Sequence, residues 1–218
     1  MSPVPDKMFV TADCVTLRFT PEEGLRLLLV ERAHDPYKGC WALPGGFVEL
    51  DEDLGEAAER ELKEETGVEV ELTAQIAAFG TPGRDPRGRN VTVAYLGLVP
   101  HGQAEARAGD DAARAAWHPV GELHELAFDH AEIVEAGMEL LWGFLTGTHA
   151  AYLLLPEEFG ASELGRLLVE ASGGECAPED AMGLLSASHL EQADGEEDAA
   201  ARFRCVANSY LDPPDGNL

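Results

Sequence analysis

The sequence predicts an α/β (α+β) sandwich that ends near residue 150, followed by a small unit of two helices and a hairpin. Three observations lead there. Short apolar, partly β-branched runs recur through the first 120 residues, separated by Pro/Gly breakers. Residues 54–66 and 130–147 carry apolar side chains at helical rather than alternating spacing. Beyond residue 150 the order changes to helix, helix, hairpin. The 218 residues are 45% hydrophobic and 26% charged, a composition able to bury a core. The expected division is therefore 1–149, 150–211 and a flexible tail at 212–218.

Taken in order, MFVTADCVTLRF (8–19) and LRLLLVER (25–32) read as strands joined by a turn at PEEG. LPGG (43–46) is a breaker cluster. In 54–66, Leu54, Ala57, Ala58 and Leu62 share a stripe, Asp51 and Asp53 suit the positive N-terminal end, and Gly67 is a natural stop. Residues 68–80 and 91–99 are two more strands flanking the Pro/Gly-rich loop TPGRDPRGRN. AAWHPV (115–120) is a short strand, and HAEIVEAGMELLWGFLTG (130–147) a long helix. SELGRLLVEA (162–171) and PEDAMGLLSA (178–187) are helices, and HLEQ and ARFRCV flank the acidic turn ADGEEDAA as a hairpin. Helix, helix, hairpin is the order of a small winged helix.

Charge narrows the function. The net charge is −26, from 41 acids against 15 bases. Such a surface repels nucleic acid and anionic lipid unless a local basic patch overrides it. The composition suits either a high-salt cytoplasm or an ordinary acidic protein. The four cysteines, Cys14, Cys40, Cys176 and Cys205, form no CxxC pair, so zinc-ligand spacing is absent. No signal-peptide pattern and no apolar run of about 18 residues is present, so a cytoplasmic protein with reduced thiols is expected.

The acids concentrate in GFVELDEDLGEAAERELKEETGV (46–68), which holds nine acids and two bases. On a helix, Glu61, Glu64 and Glu65 stand at i, i+3 and i+4, placing three carboxylates on one face. Like charges so spaced destabilise a helix unless something compensates them. A hard divalent cation does so: Mg²⁺, Mn²⁺ or Ca²⁺ takes carboxylate oxygens. Gly45 and Gly46 let backbone approach closely, offering a main-chain carbonyl, and Arg60 can orient a carboxylate in bidentate fashion. The alternative is a solvated acidic face. The spacing of the whole stretch resembles the Nudix box of the Nudix hydrolases: Gly46, five residues, Glu52, seven residues, then Arg60-Glu61-Leu62-x-Glu64-Glu65-x-Gly67-Val68. The resemblance implies a mixed sheet between helices, an α/β/α sandwich, and hydrolysis of a nucleoside diphosphate linked to another moiety. It implies Glu61, Glu64 and Glu65 as metal ligands, Arg60 as their orienting partner and Glu52 as support for the helix start or metal-bound water. Arg60, Glu61 and Glu64 are the expected catalytic group; Gly45, Glu61, Glu64 and Glu65 the expected Mg²⁺ site, with Mn²⁺ possible.

The loop FGTPGRDPRGRN (79–90) packs Arg84, Arg87 and Arg89 into six residues, and arginine forks bind phosphate or carboxylate. The competing reading is a solvated loop paired with local acids such as Asp85. This run, with VTVAYLGLV, GDDAARAAWHPVGEL and LAFDHAEI, resembles the ADP-ribose pyrophosphatase-like branch of the family. There the substrate is cut to AMP and ribose 5-phosphate, and homodimers are usual. Phe79, Arg84, Arg89 and Asp111 are the expected substrate contacts. Asp110 and Asp111 are either a carboxylate pair from outside the box or a polar turn, and Phe128 and His130 either touch substrate or pack the last long helix. The tail beginning LLLPEEFGASELGRLLVEASGG (153–174) resembles the C-terminal unit of Nudix-related regulators of NAD metabolism, which sense ADP-ribose and bind DNA. Residues 150–218 hold 14 acids and three bases, a net of −11, and no Lys or Arg stands between Leu167 and Ala201. DNA binding is therefore not expected. A tail kept for packing, dimerisation or an acidic interaction remains.

Overall fold

The computed structural model describes residues 7–70, 72–103, 112–123, 125–148, 150–177, 190–193 and 202–205. A seven-stranded mixed sheet organises the first 150 residues. β1 (Phe9–Thr20) is its spine, paired in parallel with β6 (Asn90–Leu98) along one edge. The other edge of β1 is shared. Its N-terminal half pairs with β4 (Gly45–Phe47), as Asp13 with Gly45, and its C-terminal half with β2 (Gly24–Arg32), as Leu17 with Leu27. The sheet therefore forks along β1 just past Asp13. β5 (Leu72–Phe79) joins β6, while β3 (Trp41–Ala42) and β7 (Ala112–Pro119) join β2.

Alternation along β1 builds two cores, because successive side chains point to opposite faces. Val15, Leu17 and Phe19 pack with Ile133, Leu141 and Leu145 of α2 (His130–Gly147). On the reverse face Ala12 meets Ala57 and Ala58, and Cys14 meets Leu62, of α1 (Leu54–Thr66). This is the expected α/β/α sandwich. Burial around Cys14 pushes its thiol up to about 12, so this cysteine is an inert core residue. α3 (Ala151–Leu154) and α4 (Ala161–Ala171) add Leu153, Leu164, Leu167 and Leu168 to the α2 side of that core. α4 is also clamped to the β1–β2 turn: Arg166 donates to the Pro21 carbonyl at 2.6 Å, and Leu25 N–H donates to Glu170 at 2.5 Å. A second sheet of β8 (Phe159–Gly160), β10 (Arg202–Cys205) and β9 (Leu190–Ala193) contains the expected hairpin. The candidate helix 178–187, the acidic turn and the tail 212–218 lie outside the described residues.

The breaker cluster at 43–46 proves to be partly strand. Two- and three-residue strands carry no periodic signal; β4 exists because its backbone completes the ladder of β1. The strand expected at 68–80 begins at Leu72.

Candidate functional site

The helix that carries the acids is fixed at both ends by local chemistry. Asp53 caps α1, accepting from Leu54 N–H at 2.6 Å, and Glu56 returns a bond to Asp53 N–H at 2.8 Å, a capping box. Gly67 ends it in the left-handed conformation, φ 69°, its N–H on the Lys63 carbonyl. Leu62 is fully buried beneath the sheet, which turns the opposite face of that turn to the Gly45–Gly46 loop.

Arg60 ties the acidic residues together. Its guanidinium donates to Glu52 at 2.7 and 2.9 Å, to Glu61 at 2.9 Å, to Glu64 at 3.2 Å and to the Phe47 carbonyl at 3.1 Å. Those bonds raise the Arg60 pKa and hold Glu52 down to about 2. Glu61 moves the other way: burial raises it despite its hydrogen bond to Arg60. Gly45 N–H donates to Glu65 at 3.0 Å. A Cβ at Gly46 would overlap the Glu61 carboxylate, so glycine there is a requirement of close approach.

Glu61 and Glu65 line a cleft of about 440 Å³ with Gly45, Gly46, Asp13, Arg32, Arg84, Arg87, Phe128 and His130. Among the described residues no three His, Cys, Asp or Glu side chains stand together closely enough to hold a metal as placed. Glu61 and Glu64 are instead drawn to Arg60, and Glu65 to the loop N–H. The donor set nevertheless fits a hard cation. It offers carboxylate oxygens on one rigid helix, a loop stripped of side chains beside them, and an arginine that already pre-orients two of the three.

The arginine loop divides. Arg84 is buried, and its fork is committed to Asp129, with Nε to Oδ2 at 2.7 Å and Nη2 to Oδ1 at 2.6 Å. It forms cleft wall. Arg87 also lines the cleft, pairs with Asp85 at 2.7 Å and is 43% exposed. Asp85 is held down to about 2, burial opposing and the Arg87 and Asn90 bonds prevailing. Arg89 donates to the Gly80 carbonyl at 2.6 Å and lies outside the cleft lining, as does Phe79, packed against the main core. Asp110 and Asp111 lie outside the described residues.

Asp13 and Arg32 line the cleft although no motif marks them; of the three loop arginines Arg87 joins Arg84 there, and so does His130. Asp13 had a signal: it interrupts the apolar run Ala12–Leu17 and is 6% exposed. His130 is also buried, its Nδ1 accepting from Leu43 N–H at 2.9 Å, and burial lowers its pKa. Tyr37 and the cleft-lining Phe128 both hold left-handed backbone, φ 64° and 56°, with ring centroids 4.7 Å apart. Two such residues cost about 2–4 kcal/mol, more than the roughly 0.5–1.5 kcal/mol an aromatic pair returns. Phe128 is held there also by Arg32 and Arg87 over its ring, at 4.8 and 5.6 Å, and by the His130 ring at 5.3 Å.

Residues 9–137 match the NUDIX domain model, and the chain belongs to the Nudix family. Within it, the chain is 42% identical over 114 residues to the ADP-ribose pyrophosphatase of Methanocaldococcus jannaschii, covering 52% of this chain and 66% of the relative. It is 34% identical over 151 residues to the "ADPR responsive transcriptional repressor NtrR" of Acinetobacter baylyi, covering 67% and 60%. The chain thus spans somewhat less than two thirds of the length of these two relatives. Over nearly its whole length it also superposes on Shewanella oneidensis NrtR complexed with a 27mer DNA: TM-score 0.70, 26% identity, 91% of this chain and 93% of that one.

Proposed function

We propose that the chain hydrolyses the pyrophosphate bond of a nucleoside diphosphate joined to another moiety, with ADP-ribose cut to AMP and ribose 5-phosphate, and that it requires Mg²⁺. The observation that carries the reading is the intact box in place: Glu61 and Glu65 face the Gly45–Gly46 loop, and Arg60 braces Glu52, Glu61 and Glu64. Glu61, Glu64, Glu65 and the Gly45 carbonyl would hold the metal. Bound there, it would neutralise diphosphate charge and lower the pKa of a water. The chain's own residues do the remainder. Arg60 restrains the carboxylates so that they need not reorganise during reaction. Arg87 and Arg32 supply positive charge to a cleft in a protein of net charge −26. ADP-ribose as substrate is supported by the 42% identical pyrophosphatase.

The test is incubation of the full chain with Mg²⁺ and a panel of nucleotide sugars and dinucleotides, following AMP release. Glu64→Gln removes charge with little change of shape and should abolish turnover while leaving the thermal melt unchanged. Retained turnover refutes the ligand role.

A second reading, an ADP-ribose sensor that binds DNA, is favoured by the likeness to NrtR over the tail as well as the Nudix domain. Opposing it, Leu167–Ala201 contains no Lys or Arg, and DNA affinity rests on such side chains. A low-salt gel shift decides: a specific shift released by ADP-ribose supports the sensor, and no shift removes it. A homodimer in the cytoplasm completes the proposal, its assembly checked by sedimentation; no helix among the described residues is long and apolar enough to cross a membrane.

A further inference from the structure

The inner end of the cleft contains a carboxylate, Asp13, that faces the cleft with no protein donor in hydrogen-bond reach among the described residues. Asp13 is 6% exposed, and a charge so buried needs hydrogen bonds. Among the described residues none donates to it. The nearest cationic or ring nitrogens, Arg84 Nη2 and His130 Nε2, each stand 3.9 Å from Oδ2, beyond hydrogen-bond reach. Arg84 does not close the gap because Asp129 holds its fork. His130 is the complementary case. Its Nδ1 accepts from Leu43 N–H, so the ring proton of the neutral imidazole sits on Nε2, the atom turned towards Asp13.

We infer that Asp13 and His130 together hold one hydroxyl group of the ligand's sugar, a reading that rests on the cleft being a nucleoside diphosphate site. Two hydrogen bonds of about 2.8 Å that meet at roughly 90° on one oxygen span about 3.9 Å. At the tetrahedral angle the span would be about 4.6 Å, so the 3.9 Å between Nε2 and Oδ2 admits such an oxygen in a bent arrangement. The atom between them must accept from His130 and donate to Asp13. A hydroxyl does both. A phosphate oxygen only accepts, and a metal ion would face the His130 N–H and the Arg84 guanidinium. Position agrees with chemistry: Asp13 pairs in register with Gly45, whose N–H binds Glu65 of the box. The group next to the diphosphate in a nucleoside diphosphate sugar is a ribose. Either ribose of ADP-ribose carries suitable hydroxyls, and the two are separable because AMP and ribose 5-phosphate each contain one.

The experiment is calorimetric binding of ADP-ribose, AMP and ribose 5-phosphate to the full chain without Mg²⁺, so that nothing turns over, with Mn²⁺ affinity measured separately by spin resonance. Asp13→Asn keeps the shape and removes the charge. Its ADP-ribose Kd should weaken about 10-fold, because a charge-assisted hydrogen bond becomes a neutral one. The same loss should fall on AMP or on ribose 5-phosphate, which names the ribose, and Mn²⁺ affinity should not change. His130→Gln should repeat the pattern and serves if Asp13→Asn does not fold. An unchanged ADP-ribose Kd overturns the inference, leaving the site to water. Weakened Mn²⁺ binding also overturns it, assigning Asp13 to the metal. Wild-type protein that binds ADP-ribose but does not cut it when Mg²⁺ is restored sinks only the proposed activity; wild-type protein that binds neither ADP-ribose nor its halves sinks both.

Discussion

Gly46→Ala isolates the geometry of the box. The backbone there is not in the left-handed region, so alanine brings no conformational strain of its own. Its Cβ, however, would lie 2.5 Å from Cδ and 2.6 Å from Oε2 of Glu61, where ordinary contact begins at 3.4 Å. The carboxylate must retreat by about 0.9 Å, the difference of those distances. It cannot do so freely, because Arg60 holds it at 2.9 Å while also bonding Glu52 and Glu64. A displacement near 1 Å at a positioned group costs on the order of 100-fold in rate, whereas one added methyl at a partly open loop costs stability about 1–2 kcal/mol at most. The variant should thus lose about 100-fold in kcat for AMP release while its melting temperature falls only a few degrees. Wild-type kcat in a folded Gly46→Ala protein would refute the claim that the placement of Glu61 matters.

Arg84→Ala and Arg87→Ala should separate a wall from a hand. Removing Arg84 strands Asp129 and withdraws the nearest cation from Asp13, so stability should drop by about 3 kcal/mol, seen in denaturant unfolding. Arg87, 43% exposed, should instead raise KM more than it lowers kcat; an unchanged KM returns it to a purely local pair with Asp85. Glu52 gives a pH signature. Arg60 lowers its pKa from 4.5 to about 2, so its stabilising contribution is complete above pH 4.5 and is lost as pH falls through about 2. The melting-temperature gap between wild type and Glu52→Gln should therefore narrow from pH 5 to pH 2, and a gap constant over that range would contradict the pairing.

The sequence by itself determined the sandwich, the acidic helix with its caps, and the box. Each of these rests on local rules: apolar period, an Asp before and a Gly after, and carboxylates three and four residues apart. It could also place Arg84, Arg87 and Arg89 on one loop, because they are neighbours along the chain. Which of the three faces the cleft was decided only by tertiary structure. Asp129, 45 residues on, claims the fork of Arg84, while the Gly80 carbonyl claims Arg89. Likewise Asp13 could be seen as a charge in an apolar strand, but not as the floor of a site. That role exists because β4 and β2 share one edge of β1 and part just past it, and because α2 starts there with His130. Local patterns are written in spacings of a few residues, whereas the partners that set a charge's role come from strands and helices distant in the chain.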